Sequence, residues 1–244
     1  MSSPCFNTIG RRGFTLPEAL ASLLIISVLL AVLLPVLRTV AGHSRESICV
    51  QNLRTLSAAL LTFSYEQGGV VVTKTDGSGN DGLLWSSQLY ERGYVPVKKT
   101  FYCPGWRRKA NDDAINWRWY TYGLNIYDPR GVTETVVVDA DAGRRYRVYR
   151  LRLALVDNPS HTPMLMDSWS RDPENEKGTQ SFRVWSSKGS STDGSSVHLR
   201  HRGRAYISFF DGHILAADIP GIRQNGFTAY ADDSGTLVRG LPKW

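Results

Sequence analysis

Four side chains that can carry out acid–base or metal chemistry lie close together near the carboxyl end of the sequence. His198, His201, Asp211 and His213 fall within sixteen residues of one another. Imidazole and carboxylate groups in such a cluster could hold a metal ion or assist hydrolysis. A histidine beside a hairpin turn is more often a hydrogen-bonding or surface residue, however, and no serine in a nucleophile-elbow pattern accompanies this group. The sequence therefore predicts a structural role for these residues and no enzyme.

The cysteines and several acidic residues are the other candidates for metal binding. Cys5, Cys49 and Cys103 form no CxxC pair and have no histidine pair beside them, so their spacing predicts no zinc site. Calcium is an alternative, because two acidic pairs could supply hard oxygen ligands. These pairs are Asp139 with Asp141 and Asp232 with Asp233. Neither pair has the spacing of an EF-hand and solvated turn acids explain both, so no cofactor is predicted.

The length and composition indicate one folded domain with a short extra segment. The 244 residues are 42% hydrophobic and 21% charged, which excludes a collagen-like or wholly disordered chain. A net charge of +7 could suggest nucleic acid, but the basic residues are scattered without a dense tract. No nucleic-acid partner is predicted.

An apolar segment near the amino terminus determines where the rest of the chain can lie. Nineteen uncharged residues run from Ala19 to Leu37, which is long enough to cross a bilayer. The leader before it carries its only charges at Arg11 and Arg12, so we expect the leader to stay in the cytoplasm and the rest to face outward. Glu18, at the membrane end of the run, would cost on the order of 3 kcal/mol to bury unless another group pairs with it.

Three kinds of N-terminal segment could contain such a run. A cleaved signal peptide needs small residues at the cleavage site, and Thr39-Val40-Ala41 is a poor match. A plain signal anchor has no use for Glu18. The third kind is a membrane segment whose carboxylate takes part in assembly.

The residues around Gly13 carry a resemblance to a known family. The stretch RRGFTLPEALASLLIISVLLAVLLP resembles the N-terminus of type IV prepilins and of the pseudopilins of type II secretion systems. The resemblance implies that a prepilin peptidase cuts after Gly13 and methylates the amine of Phe14. It also implies that Glu18 is the fifth residue of the mature chain and that Pro35 bends the helix. Pro17 departs from the family pattern, but proline is tolerable among the first four residues of a helix.

Cleavage would give Glu18 a partner in the membrane. The new α-amine of Phe14 is positive in the same membrane layer, and a neighbouring subunit shifted along a filament could pair its amine with this carboxylate. A Glu18 side chain that reaches up to the lipid headgroups is the alternative.

Cleavage would also change the cysteine count. Removal of Cys5 leaves Cys49 and Cys103 as an even pair in a compartment where disulfides persist. We therefore expect a Cys49–Cys103 disulfide, and two buried free thiols are the alternative.

The membrane helix is predicted to continue into the exported part of the chain. Apolar residues recur at spacings of four, three, four and three, which is one face of an amphipathic helix. They are Cys49, Leu53, Leu56, Leu60 and Phe63. The helix is expected to run from Phe14 to about Tyr65 and to end at Gly68-Gly69.

The predicted fold class is α+β and pilin-like, with a long N-terminal transmembrane and amphipathic helix packed on a mostly antiparallel β-sheet head. The predicted parts are a leader (1–13), a transmembrane segment (14–37), an amphipathic continuation (38–65) and a globular head (66–244). Within the head, β-rich patterns predict strands at 70–73, 132–138, 145–156 and 164–166, and a short helix at 83–92. Residues 171–196 are polar and are expected to form a mobile insertion.

The clearest β signal lies near the end of the sequence. Asp211-Gly212 separates two strand-like runs, 204–210 and 213–217, and predicts a two-residue type I′ turn. His201 precedes Asp211 with nine residues between them, which resembles the C-terminal His-x9-Asp-Gly signature of a group of bacterial pseudopilin-like proteins. Weaker parts of the same resemblance lie at Cys49 to Arg54, Phe101 to Pro104, Tyr122 to Asn125 and Asn158 to Ser168.

The sequence thus predicts a pilin-like structural subunit of a type II secretion pseudopilus or of a type IV pilus-like filament that supports protein secretion. The expected partners are prepilin peptidase, other pilin or pseudopilin subunits, the secretion-system inner-membrane platform and membrane lipid. The expected location is the bacterial inner membrane, crossed once, with the head in the periplasm, or a filament or the cell surface. The alternative is a membrane-anchored exported binding or carbohydrate-acting protein with ordinary signal processing.

Overall fold

The computed structural model describes residues 16–74, 84–106, 117–126, 132–138, 145–172, 175–184 and 195–240. The chain divides into two compact units, Met1–Ser44 and Arg45–Trp244. The second unit is the head together with the end of the first helix.

Helix α1 spans Leu16–Glu66. The predicted apolar stripe is confirmed, since its five residues, Cys49 to Phe63, are at most 2% exposed. The helix ends as predicted at Gly68, whose φ of +70° is left-handed and suits glycine. The N–H of Gly69 donates to the carbonyl of Ser64 at 2.7 Å, and the N–H of Gly68 donates to that of Tyr65 at 3.1 Å. This pair of bonds is a Schellman motif, which satisfies carbonyls that the last turn leaves open.

The head is α+β and mostly antiparallel, as predicted. Its elements are β1 (Val70–Lys74), α2 (Trp85–Glu91), β2 (Gly123–Asn125), β3 (Val132–Val138), β4 (Arg145–Arg152), β5 (Pro163–Met166), β6 (Ser168–Asp172), β7 (Asn175–Thr179), β8 (Arg183–Val184), β9 (Ser196–His198), β10 (Ala205–Phe209), β11 (Ile214–Ala217), α3 (Ile219–Gln224), β12 (Ala229–Ala231) and β13 (Leu237–Arg239). Within the described residues, three sheets form in the orders β1-β4-β3, β11-β10-β5-β2-β8 and β13-β12-β9-β6-β7. The pairs β2·β8 and β9·β12 are parallel.

Most predicted elements of the head are found, with two corrections. The strand expected at 145–156 ends at Arg152, and a short 3₁₀ turn, Leu153–Leu155, follows. The mobile insertion expected at 171–196 is wrong for the described part, because β7 and β8 lie within it and Gln180, Ser181 and Phe182 are buried. The polar side chains of Gln180 and Ser181 are stable inside because they find hydrogen-bond partners there. Residues 185–194 lie outside the described residues.

The hairpin between β10 and β11 has a different turn from the one predicted. The N–H of Gly212 donates to the carbonyl of Phe209 at 2.9 Å, and the N–H of Phe209 donates to that of His213 at 3.0 Å. Gly212 has a φ of +90°, but the φ of Asp211 is not positive. The predicted type I′ turn is therefore wrong: the loop has three residues, with a type I turn followed by a left-handed glycine.

A type I′ turn does occur nine residues earlier, between β9 and β10. His201 and Arg204 exchange both backbone hydrogen bonds, at 3.0 and 3.1 Å. The two residues between them, Arg202 and Gly203, have φ values of +54° and +76°. Both positive angles are required for this turn. His201 is held in the hydrogen-bonded pair that closes the turn.

Two apolar clusters form the core of the head. The stripe of α1 packs in the first cluster with α2, with the aromatic rings of Phe101 and Trp117, and with strand residues such as Leu124. The second cluster lies around β10 and α3 and includes Ile207, Phe209 and Ile222. The segment that carries Cys103 belongs to the first cluster, which places it against α1.

Candidate functional site

The membrane-length part of α1 exposes its apolar side chains. In the described residues from Leu16 to Leu37, every side chain is exposed, including those of Leu23, Leu24 and Leu29. By length and composition, α1 is the one helix of the described residues that could cross a membrane. Glu18 lies in its first turn, where a negative charge is favoured by the helix dipole.

The other residues of the processing motif are placed as follows. Gly13 and Phe14 lie outside the described residues. Helix α1 continues through Pro35 without interruption, and the Thr39 hydroxyl donates to the Pro35 carbonyl at 3.1 Å. Because proline lacks an N–H, one helical hydrogen bond is missing at this position. A bend at Pro35 remains a prediction.

A disulfide between Cys49 and Cys103 joins helix α1 to the segment that follows α2. The two Cα atoms are 5.2 Å apart, and both side chains are fully buried. Polar contacts reinforce the junction: the Asn52 amide donates to the carbonyl of Tyr102 at 3.2 Å, and the Tyr122 hydroxyl donates to that of Cys49 at 3.4 Å. The weak sequence signatures at 49–54, 101–104 and 122–125 therefore meet at one place.

The backbone of Cys103 is fixed by a side chain from the segment expected to be mobile. The Gln180 carboxamide accepts from the Cys103 N–H at 3.0 Å and donates to the Cys103 carbonyl at 3.3 Å. The Gly105 N–H donates to the Cys103 sulfur, also at 3.3 Å. Gln180 was not predicted from the sequence, because a lone polar residue in a polar stretch gives no periodic signal.

His201 of the C-terminal signature lies against this disulfide. Its Nε2 is 3.3 Å from the Cys103 Sγ and 3.3 Å from the Asp167 Oδ2. Asp167 lies fully buried between β5 and β6, where its Oδ2 accepts from the Tyr206 N–H at 2.8 Å. The buried Arg200 completes the group, with its Nε 3.8 Å from the Asp167 Oδ1 and with a hydrogen bond to the carbonyl of Ser168.

The charges in this group compensate one another. Burial by itself raises the pKa of Asp167, but His201, Arg200 and the Tyr206 N–H outweigh it and lower the pKa. Asp167 is therefore a buried carboxylate beside a buried guanidinium. Both Asp167 and Cys103 face the same His201 nitrogen, whereas a nucleophile–base–acid relay needs them on opposite ring nitrogens. The arrangement is a packed polar core and not a catalytic triad.

The other half of the signature lies in an exposed turn. The Asp211 Oδ1 accepts from the His213 N–H at 3.0 Å and lies 2.6 Å from the His213 Nδ1. The His213 ring stacks on Phe209 with centroids 4.2 Å apart. Slight burial raises the pKa of Asp211, but the hydrogen bonds from His213 outweigh this and lower it. Asp211 and Gly212 thus shape the hairpin turn.

His198 is buried separately from His201. Its Nε2 lies 2.9 Å from the Asp232 carbonyl, and the Trp106 ring packs against it edge-on at 4.1 Å. Burial, followed by the charge of Arg200, lowers the pKa of His198 to about 2. The four polar residues near the carboxyl end therefore do not form one site.

The acidic pairs considered for calcium are placed in turns or lie outside the description. The Asp232 Oδ1 accepts three hydrogen bonds, from the N–H and hydroxyl of Ser234 and from the N–H of Thr236. Asp139 and Asp141 lie outside the described residues. Among the described residues, the grouping of three metal-capable side chains is Cys49, Cys103 and His201, whose donor atoms lie within 4.8 Å of one another.

The comparison with known families concerns the amino-terminal segment. Residues 10–34 match the model of the prokaryotic N-terminal methylation motif. The curated proteins and the solved structures give no significant match. The motif supports a type IV pilin-like protein that is processed by prepilin peptidase and assembles with other pilin subunits, and it points to a structural subunit. With the one apolar N-terminal helix of the described residues, it is consistent with a single-pass, membrane-anchored protein.

Proposed function

We propose that this chain is a structural subunit of a type II secretion pseudopilus or of a type IV pilus-like filament, and that it supports protein secretion. The observation that carries the proposal is the methylation motif at residues 10–34, which overlaps a helix whose apolar side chains are exposed from Leu16 to Leu37. Exposed apolar surface of this extent needs lipid or other apolar helices to cover it. The helix of a pilin-type subunit is covered by lipid while it lies in the membrane and by the helices of neighbouring subunits once it is in the filament.

The proposed life of the chain begins with processing. Prepilin peptidase cuts after Gly13 and methylates Phe14, while the helix crosses the inner membrane and the head lies in the periplasm. The Cys49–Cys103 disulfide forms there, in an oxidising compartment. The inner-membrane platform of the secretion system and neighbouring subunits then draw the helix out of the lipid.

Glu18 is the proposed assembly residue. Its carboxylate belongs to a segment that is otherwise uncharged up to Leu37. The Phe14 amine of a neighbouring subunit, positive after cleavage, would neutralise it within the apolar core of the filament. Loss of the carboxylate would leave that amine buried without its partner, at about 3–5 kcal/mol per contact.

One experiment tests processing and assembly together. The full chain is produced with its secretion genes, the intact mass of the membrane-extracted protein is measured, and filaments are counted for wild type, Glu18→Ala and Ser22→Ala. Ser22→Ala is the matched control, because it removes a polar group from the same apolar stretch without a change in charge. We expect a mature chain that begins at methylated Phe14 in all three, and few or no filaments only with Glu18→Ala.

Two results would count against the proposal. A mature chain that begins after Leu37 would indicate signal-peptide cleavage and favour an exported binding or carbohydrate-acting protein. Normal filaments from a processed Glu18→Ala subunit would remove the assembly role of Glu18.

A further inference from the structure

We propose that the buried group around the disulfide has a second state, in which reduced Cys49 and Cys103, with His201 and Asp167, bind one Zn²⁺ ion. The inference does not depend on filament assembly. It concerns how the head is cross-linked to α1 when the disulfide is open. The sequence gives no hint of it, because the four residues are spread over more than 150 positions and match no zinc spacing.

Three of the four donor atoms, those of Cys49, Cys103 and His201, already lie close together, and the Asp167 carboxylate lies beside His201. Structural zinc takes four ligands from cysteine sulfur, imidazole nitrogen and carboxylate oxygen at about 2.0–2.3 Å, which puts neighbouring donors about 3.3–3.8 Å apart in a tetrahedron. The His201 Nε2 is 3.3 Å from both the Cys103 Sγ and the Asp167 Oδ2. Both sulfurs and this nitrogen lie within 4.8 Å of one another. Two movements are required: the two sulfurs must separate, which reduction itself produces, and the Asp167 carboxylate, which does not belong to that group of three, must approach them.

The loop after Cys103 has features that suit a metal-bound thiolate. The Gly105 N–H points at the Cys103 Sγ at 3.3 Å, and an N–H donor stabilises the negative form of the sulfur. A Cβ at position 105 would lie 3.2 Å from the His201 Cε1 and 3.3 Å from the Cys103 Sγ, so the absence of a side chain lets the loop approach both. Gln180 holds the Cys103 backbone from the other side, which is the orienting role of residues that surround metal ligands.

The charges balance in both states, as a buried site requires. With the disulfide closed, the Asp167 carboxylate faces the Arg200 guanidinium. With zinc bound, the charges are +2 from the ion and +1 from Arg200 against two thiolates and the Asp167 carboxylate, so the sum is again zero. As a zinc ligand, the His201 imidazole is neutral and contributes none.

The change between the two states can be written as a balanced reaction. A dithiol reductant supplies two electrons and two protons, the Cys49–Cys103 bond breaks, two thiols form, and the reductant becomes a disulfide. Zn²⁺ then binds both sulfurs and releases the two thiol protons to solvent. When a chelator removes the zinc and the thiols regain their protons, a disulfide oxidant takes up two electrons and two protons, becomes a dithiol and restores the Cys49–Cys103 bond.

Cobalt binding to the full chain in detergent tests the proposal. The background variant is Cys5→Ser, so that Cys49 and Cys103 are the only cysteines. The reduced chain is titrated with Co²⁺, and the sulfur-to-cobalt charge-transfer bands and the bound metal are measured. We expect one cobalt per reduced chain, displaced by zinc, and none in the oxidised chain.

Variants identify the ligands. Replacement of both cysteines, Cys49→Ala/Cys103→Ala, should abolish the charge-transfer bands, and His201→Ala and Asp167→Asn should each weaken binding by at least about tenfold. His213→Ala, which removes an exposed imidazole, is the matched control and should bind as the background chain does. Near-ultraviolet circular dichroism shows whether each variant remains folded.

Alkylation of the thiols in the background chain, where all four ligands are present, tests the proposal without relying on variants that could fail to fold. Zinc should slow the alkylation of both thiols in the reduced chain at least tenfold. Absence of bound cobalt, bands that persist in Cys49→Ala/Cys103→Ala, or alkylation that zinc leaves unchanged would overturn the proposal.

Discussion

Removal of the disulfide is the perturbation whose size the structure defines best. Cys49 and Cys103 are 54 residues apart, and the double substitution Cys49→Ala/Cys103→Ala opens the loop between them. The chain-entropy relation for a loop of that length gives a loss of about 4 kcal/mol in the free energy of unfolding. The loss acts mainly on the unfolded chain, which gains the freedom that the bridge denies it.

Urea unfolding of the full chain in mild detergent, with a chelator present, measures this loss. The buried indoles of Trp85 and Trp117 provide the fluorescence signal, because they become exposed when the head unfolds. With an m value of about 2–3 kcal/mol/M, the midpoint should fall by about 1–2 M in the double variant. The midpoint of wild type that is reduced before the titration should fall by a similar amount. Cys5→Ala, which removes a cysteine from the leader, should not change the midpoint.

The comparison of oxidised and reduced wild type tests the effect of the disulfide on stability without a change of sequence. Equal midpoints for the two forms would refute the reasoning, since they would mean that the bridge does not restrict the unfolded chain. If the urea midpoint falls in the double variant but not in reduced wild type, the cause is loss of packing at the two positions and not loss of the cross-link.

Two further predictions concern the α1 stripe and a buried histidine. Leu56→Ala should lower the free energy of unfolding of the head by about 2–5 kcal/mol in the same urea assay, because Leu56 is fully buried, whereas Leu33→Ala at an exposed position should not. His198 has a pKa of about 2 in the folded head, below its usual 6.5, so the unfolded chain takes up a proton that the folded chain refuses and stability falls as the pH drops below about 6.5. Between pH 6 and 5, the free energy of unfolding from urea titrations should fall by about 1.2 kcal/mol in wild type and not in His198→Gln, and an equal fall in the variant would assign the effect to another group.

The sequence predicted those parts of the fold that depend on local periodicity. The stripe of α1 was visible because residues three and four apart share one helix face, and β1 and β5 were visible as short apolar runs. The polar contacts of the head were not visible, because Asp167 and Gln180 acquire their partners from residues distant in the chain. The mobile insertion was wrong for the same reason: polar residues in β7 and the buried stretch after it resemble a loop until their hydrogen-bond partners are known.

The turn near the carboxyl end shows a limit of residue statistics. Asp-Gly is a common type I′ pair, yet the structure forms that turn at Arg202-Gly203 and gives Asp211-Gly212 a three-residue loop. Pairing between strands, and not the turn residues alone, decides which loop length fits. His201 was singled out by a resemblance, but its contact with the Cys103 sulfur required the fold.

The spacing of nine residues between His201 and Asp211 is set by the length of strand β10 and of the turn before it. These nine residues comprise the Arg202-Gly203 turn, Arg204, the five residues of β10 and Phe210. Neighbouring residues of a strand face opposite sides, so one inserted residue would either reverse the buried face of β10 or carry His201 away from the disulfide. A head with a spacing of ten could keep both only through a β-bulge that absorbs the extra residue. Insertions and deletions are therefore more readily accommodated outside this interval, whose length sets the distance between the buried His201 and the exposed turn at Asp211.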